Sequence, residues 1–415
     1  MKYYLIAGEP SGDLHGSNLI KELVVADSEA QLRYFGGDLM QAVGGNLVKH
    51  YREMAFMGFI DVLLNIRTIK RNMEFCKKDL LQFKPDVLIL IDYPGFNLHI
   101  AKFAKQNNIK VFYYISPKIW AWKEHRVKKI KAFVDEMFTI FPFETEFYKK
   151  HNFEVNYVGN PLMDSIAEYK KTTVSKADFF DNNKLDNRPV VAILAGSRFK
   201  EIKRMLPIMV KAADGLSDFQ FVIAGVKNID KSVYAEIIGY KNIKIIFDQT
   251  YDLLSHSYAA IVTSGTAALE TALFNVPQVA IYKMEGGLLI DVIFRNFVLK
   301  TKWVTLPNII LQKGAILELI QKDLTVKKVR NELNKLLSDK IYRNKILEDY
   351  NRLNKLMGEP GCSKRAAEEM INFLTRNPES GTRNSEPGTR NSKLGTRNSE
   401  PGTRNSKLET RNSKL

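Results

Sequence analysis

K-Y-Y-L-I-A-G-E-P-S-G-D, residues 2 to 13, runs from a short apolar stretch into a glycine-bearing turn, and a helix-period segment follows from about Leu14. V-V-A-I-L-A-G-S-R, residues 190 to 198, does the same ahead of a helical pattern from about Lys200. A strand that ends in a Gly turn and enters a helix is the repeating unit of a parallel α/β sheet. Strand-length apolar runs at Val87 to Ile91, Lys110 to Ile115, Phe219 to Ala224, Ile243 to Phe247, Ala259 to Val262 and Gln278 to Tyr282 continue that unit. They fall on both sides of a polar stretch, Ala167 to Arg188, that precedes Pro189. The pattern predicts an α/β protein with two Rossmann-like, doubly wound domains facing a cleft. The first covers residues 1–166 and the second 189–374, with 167–188 as linker and the last helices free to return to the first domain.

Composition supports a folded body. Hydrophobic residues make up 45% of the 415 and charged residues 26%, enough to bury a core and too apolar for a disordered chain. No apolar run reaches the roughly 18 residues of a membrane-spanning helix. The apolar run after Lys2 breaks at Glu9 and Asp13 without a small-residue cleavage site, so a cytoplasmic protein is expected. Cys76 and Cys362 are too distant for a thiolate cluster, and the six histidines form no H-E-x-x-H, so neither a metal site nor a cofactor is expected. From Thr375 onward Thr-Arg-Asn recurs every seven residues among Gly, Pro, Asn and Ser, which predicts a disordered repeat tail over 375–415. From Arg376 the chain has nine Lys/Arg against four Asp/Glu, so the tail carries +5 of the formal +16 and the body +11. That excess points to a polyanionic partner: nucleic acid, anionic membrane or phosphorylated small molecule.

In a doubly wound fold the chemistry belongs at strand C-terminal ends. Gly8, Ser11 and Gly12 form a turn fit for close approach of a hydroxyl-bearing ligand, while Glu9 and Asp13 would repel a pyrophosphate. Asp13 as a helix cap is the plainer alternative. Asp92, after the buried run Val87 to Ile91, stands where a general base would face the cleft, or where an Asp merely bonds turn amides. The segment from Ser116 through two tryptophans opens a basic helix, suited to nucleic acid, to lipid headgroups or to a solvated face over Val127, Ile130 and Val134. In the second half, Ser197 and Arg198, then Ser264, Gly265 and Thr266 with Glu270 one helical turn later, form two anion-cradling turns with a carboxylate for a ribose diol.

Assembled in order, G-E-P-S-G-D (8 to 13), I-D-Y-P-G-F-N (91 to 97), Y-I-S-P-K-I-W-A-W (114 to 122), L-A-G-S-R (194 to 198), S-G-T-A-A-L-E (264 to 270) and L-P-N (306 to 308) resemble the lipid-A-disaccharide synthase family. This is a family of GT-B glycosyltransferases. The resemblance spans about Lys2 to Leu374, with departures at Pro10, Gly95 and Ala195; Gly95 leaves Asp92 as the sole acid of its turn. It implies inverting transfer of 2,3-diacylglucosamine from its UDP conjugate to 2,3-diacylglucosamine 1-phosphate. It also implies three catalytic acids, Asp92 as the base with Glu9 and Asp13 beside it, and Glu9, Asp13 and Asn97 shaping the acceptor side. Ser197, Arg198, Ser264, Gly265, Thr266 and Glu270 would hold UDP, with Asn308 at the cleft. Acylated substrates imply work at the cytoplasmic face of the inner membrane, with 54–71 either as the apolar-basic contact or as a buried helix with a basic end. Nucleic acid is not an expected partner, and a homodimer is compatible with the chain without being legible in it. The rival readings are a UDP-sugar epimerase of the same plan and a non-catalytic nucleotide- or RNA-binding protein.

Overall fold

Two parallel sheets organise the chain in the computed structural model, which describes residues 1–54, 65–120, 124–239, 241–283 and 302–376. The first contains β1 (Lys2–Ala7), β2 (Gln31–Gly36), β3 (Asn46–His50), β4 (Val87–Ile91), β5 (Lys110–Tyr114), β6 (Glu136–Thr139) and β7 (Asn156–Tyr157), in the order β3-β2-β1-β4-β5-β6-β7. The second contains β8 (Val190–Leu194), β9 (Gln220–Gly225), β10 (Lys244–Phe247), β11 (Ser257–Thr263), β12 (Gln278–Tyr282) and β13 (Glu318–Ile320), in the order β10-β9-β8-β11-β12-β13. Strands buried on both faces cannot alternate polar and apolar residues, which is why V-L-I-L-I of β4 and V-V-A-I-L of β8 are apolar and buried throughout.

Each sheet reverses its winding once, between β1 and β4 in the first and between β8 and β11 in the second. Outside the carboxyl ends of such a pair a crevice opens, because the following helices leave on opposite faces. Ala7 of β1 pairs with Ile91 of β4, and Val262 of β11 with Leu194 of β8, so the four turns singled out in the sequence leave the four strands that flank the two reversals.

Three expectations change. The stretch 167–188 is folded: it includes the end of helix Pro161–Lys171 and helix Lys176–Asn182, whose Phe179 and Phe180 are buried. That adjacent aromatic pair supplies the apolar anchor the polar composition concealed. The basic helix begins later than expected, at Val127 after a 3₁₀ turn over Glu124–Arg126. Its Val127, Ile130 and Val134 are buried, so the basic residues there form the outer face of a core helix. Finally, the first helix starts at Pro10, one turn before the expected Leu14, because proline suits the first helical position.

The last helix, Cys362–Thr375, returns to the first sheet. Phe373 meets the rings of Phe112 and Phe138 edge-on, and Arg365 Nε donates to the Val158 carbonyl at 2.9 Å. Asp164 accepts from the amides of Gly361, Cys362 and Ser363, so its carboxylate caps that helix's N-terminus from another element. Residues Met1–Phe373 form one compact unit and Leu374–Leu415 a second. From residue 377 the repeat tail lies outside the described residues, as does 55–64 of the expected membrane segment. Among the described residues no helix is long and apolar enough to cross a membrane.

Candidate active site

Gly8 follows β1 directly, and only a glycine fits there. A Cβ at this position would lie 2.2 Å from the Tyr93 ring, which covers the turn and is tethered by its hydroxyl to the Met54 carbonyl at 2.9 Å. Glu9 caps helix Pro10–Ala26 without a side-chain bond to it, and Ser11 is exposed in the first turn. Gly12 is buried with its Cβ position 3.2 Å from the Ala7 side chain, which lets the helix start close above the strand.

Asp13 departs from its expected catalytic role. Its carboxylate is 2% exposed and accepts from the amides of Gly37 at 2.7 Å, Leu39 at 3.0 Å and Met40 at 3.0 Å. It therefore closes the N-terminus of the short helix Asp38–Ala42 from a neighbouring helix. With both oxygens engaged by amides, it is a positioning group for the β2 turn.

Asp92 is different in kind. Both Asp92 and Tyr93 have left-handed backbones, with φ of 41° and 48°, a conformation that non-glycine residues hold only when their surroundings impose it. The imposing contacts are visible. The Asp92 amide donates to the Tyr114 carbonyl at 3.2 Å, while its own carbonyl accepts from Tyr113 Oη at 2.5 Å and from Asn97 Nδ2 at 2.7 Å. Asn97, fully buried, also reaches the Ile91 carbonyl at 3.3 Å. Its amide nitrogen thus helps to hold the Asp92 turn, while its Oδ1 is buried without a hydrogen-bond partner among the described residues. Burial pushes the Asp92 carboxyl up to about 6; the Glu9 charge adds to the rise, and Lys118 and the Tyr93 amide oppose it. A carboxylate poised there can exist as a base at neutral pH yet accept a proton readily.

The second sheet contributes a cavity of about 580 Å³. Gly196, Ser197 and Arg198 line it after β8, and Thr263, Ser264, Gly265, Thr266 and Glu270 line it after β11. Helix Thr266–Leu273 points its N-terminus at this space, where unpaired amides favour an anion. Glu270 is pushed up by burial and accepts from Tyr251 Oη at 3.0 Å, which fixes its orientation. Every donor-side residue expected from the sequence, Ser197, Arg198, Ser264, Gly265, Thr266 and Glu270, meets at this one cavity.

Asn308 does not. Its amide donates to the Ile316 carbonyl at 3.0 Å and to Glu318 at 2.9 Å, and its oxygen accepts from the amides of Ala315 and Ile316. Both ends of the side chain are used to staple helix Leu306–Leu311 to β13, so Asn308 is a structural residue here.

The model of the family described as lipid-A-disaccharide synthetase matches residues 3–371. A lipid-A-disaccharide synthase of Geobacter metallireducens is 35% identical over 377 residues, covering 89% of this chain and 96% of that one. One from Syntrophus aciditrophicus is 34% identical, covering 90% and 98%. The chain belongs to the lipid-A-disaccharide synthase family. Among solved structures, a UDP-GlcNAc 2-epimerase from Neisseria meningitidis bound to UDP-GlcNAc superposes with a TM-score of 0.62 at 15% identity, over 90% of this chain and 100% of that one. The glycosyltransferase of kitacinnamycin superposes at 0.59 and 12% identity, over 90% and 99%. These likenesses establish the GT-B-like fold that the synthase family shares with epimerases.

Sequence reasoning passed over three residues of this synthase-family site. Thr263 lines the cavity with its hydroxyl buried and unpartnered among the described residues, the mark of a group prepared for a ligand. Glu201 accepts from the Ser197 amide at 3.3 Å and stands 3.6 Å from Arg198, steadying the turn; its position three residues into the helix after Arg198 was the available signal. Lys118 lines the cavity from the first-sheet half.

Proposed function

We propose that the protein transfers 2,3-diacylglucosamine from its UDP conjugate to the 6-hydroxyl of 2,3-diacylglucosamine 1-phosphate. The products are a β-1',6-linked disaccharide 1-phosphate and UDP. The observation that carries this reading is the division of labour around the paired reversals: an elevated carboxyl after β4, and two anion-cradling turns around one cavity after β8 and β11. Asp92 takes the hydroxyl proton as the acceptor oxygen attacks the anomeric carbon. Arg198, the Ser264 to Thr266 amides and the helix behind them receive the growing charge on the departing UDP. Glu270, oriented by Tyr251, holds the ribose. Incubation with both substrates should yield the disaccharide 1-phosphate and UDP by mass spectrometry, and absence of both products would refute the assignment.

Arg198→Ala is expected to weaken UDP binding by about 10- to 100-fold, since a charge-assisted bond to phosphate contributes roughly 1.5–3 kcal/mol. Arg198→Lys should recover only part, because an ammonium lacks the planar fork. Isothermal titration with UDP measures both.

The reading also places the protein on the cytoplasmic surface of the inner membrane, where acylated substrates reside. Arg67, Lys70 and Arg71 open helix Ile66–Phe83, and the exposed Ile66 lies beside them. A chain ending at Leu374 is expected to sediment with anionic liposomes as well as the full chain does. Loss of sedimentation on that truncation alone would make the repeat tail the anchor.

A further inference from the structure

After β5, residues 115–120 are anchored almost residue by residue. Ile115 has a left-handed backbone, φ 65°, held by the hydrogen bond its N–H donates to the Phe138 carbonyl at 3.0 Å. Such a conformation is a genuine outlier for a β-branched residue and persists only under external constraint. Ser116 Oγ lies 2.7 Å from Tyr148 Oη, and Trp120 Nε1 donates to Glu144 at 3.2 Å. Ser116, Pro117, Ile119 and Trp120 are all buried, and Lys118 alone among these five is exposed. Among the described residues of this stretch, the anchored backbone thus presents one exposed cation.

Its position is informative. β5 pairs with β4, so the loop runs beside Asp92, and the same lysine lines the cavity with Ser197, Arg198, Ser264 and Glu270 of the other sheet. We propose that Lys118 is a further residue of the reaction site, a second cation for the donor's diphosphate that reaches across from the half containing the base. This rests on the glycosyl-transfer reading and names an additional contact within it. In the transfer, the bond from the acceptor oxygen to the anomeric carbon forms and the bond from that carbon to the diphosphate oxygen breaks. The electron pair leaves with UDP, and the hydroxyl proton goes to Asp92. Because one ammonium serves both groups, in the empty site it opposes the rise that burial imposes on the Asp92 carboxyl, and a bound diphosphate draws on the same charge. Donor occupancy then makes Asp92 the stronger base, which couples proton abstraction to the presence of a leaving group.

The groups acting on Asp92 are Glu9 from the helix cap, the Tyr93 amide, Tyr113 from β5 and Lys118 from the loop, while Arg198, Glu201 and Glu270 share the cavity with Lys118. Lys118→Met should lower UDP affinity by about 10- to 100-fold, with Lys118→Arg restoring most of it. The acidic limb of kcat/KM should move to higher pH in Lys118→Met, since the cation that lowers the Asp92 carboxyl is gone. The melting temperature should stay at the wild-type value, because the side chain is exposed. UDP titration, pH profiles and thermal melts on wild type and both variants supply the test. Wild-type UDP affinity together with an unmoved acidic limb in Lys118→Met would overturn the proposal. A wild-type protein that binds UDP but forms no disaccharide would instead refute the transfer reading, and the UDP titration would still judge Lys118 by itself.

Discussion

Asp92→Asn is expected to lower disaccharide turnover by about 10²- to 10⁴-fold while leaving UDP affinity intact, the signature of a lost general base. The substitution preserves size and leaves untouched the backbone bonds to Tyr113, Tyr114 and Asn97 that hold the turn. In the wild type the acidic limb should fall near pH 6, where the buried carboxyl gains its proton. The same shift has a stability consequence of opposite sign to the usual one. Because the folded-state value is raised, the folded protein holds this proton more tightly than the unfolded chain does. The associated stability is present at low pH and is lost as pH rises through about 6. Asparagine never ionises, so the variant should melt above the wild type at neutral pH and converge with it in acid. Single-turnover rates and melting curves on one preparation separate catalysis from folding. A folded variant with wild-type turnover would pass the base to Glu9.

Asp13→Ala is expected to do the reverse, damaging the fold first. Three amides at the start of helix Asp38–Ala42 would lose their acceptor, two of them buried. At roughly 1–3 kcal/mol for each unsatisfied buried donor, a loss of about 3–5 kcal/mol follows. The melting temperature should drop by roughly 5–10 °C. Asp13→Asn, which retains one acceptor oxygen, should fall between. Turnover per folded molecule should decline far less than in Asp92→Asn. An unchanged melting temperature with abolished turnover would return Asp13 to the chemistry.

The contrast between these two acids marks what the sequence could disclose. The central strands were legible because burial on both faces makes them continuous apolar runs, as in β4 and β8. β2, β3, β6, β7 and β13 were not: Q-L-R-Y-F-G and N-L-V-K-H mix polar residues into the sheet's outer strands, and β7 and β13 span two and three residues. The donor side was legible for a related reason. Ser197 and Arg198, like Ser264 to Glu270, lie within a single turn and the helix after it, so spacing alone assembles them. Asp13 acts on amides 24 to 27 residues away, and Asn308 on partners beyond its own helix. Spacing conveys nothing about such contacts. Lys118 meets its cavity across two sheets, and its motif read as the mouth of a basic helix until the loop's anchors were visible.

The return of the last helix imposes an order on biosynthesis. Phe112 and Phe138 are early residues of the chain, yet the ring that meets both belongs to Phe373. At about 5–20 residues per second, translation needs on the order of ten to fifty seconds to travel from Phe138 to Phe373. Throughout that interval the first sheet can pair its strands but lacks the cover that Cys362–Thr375 supplies. A nascent chain stalled before residue 362 would display this apolar face to the cell, and chaperones that bind exposed aromatics would find their site there.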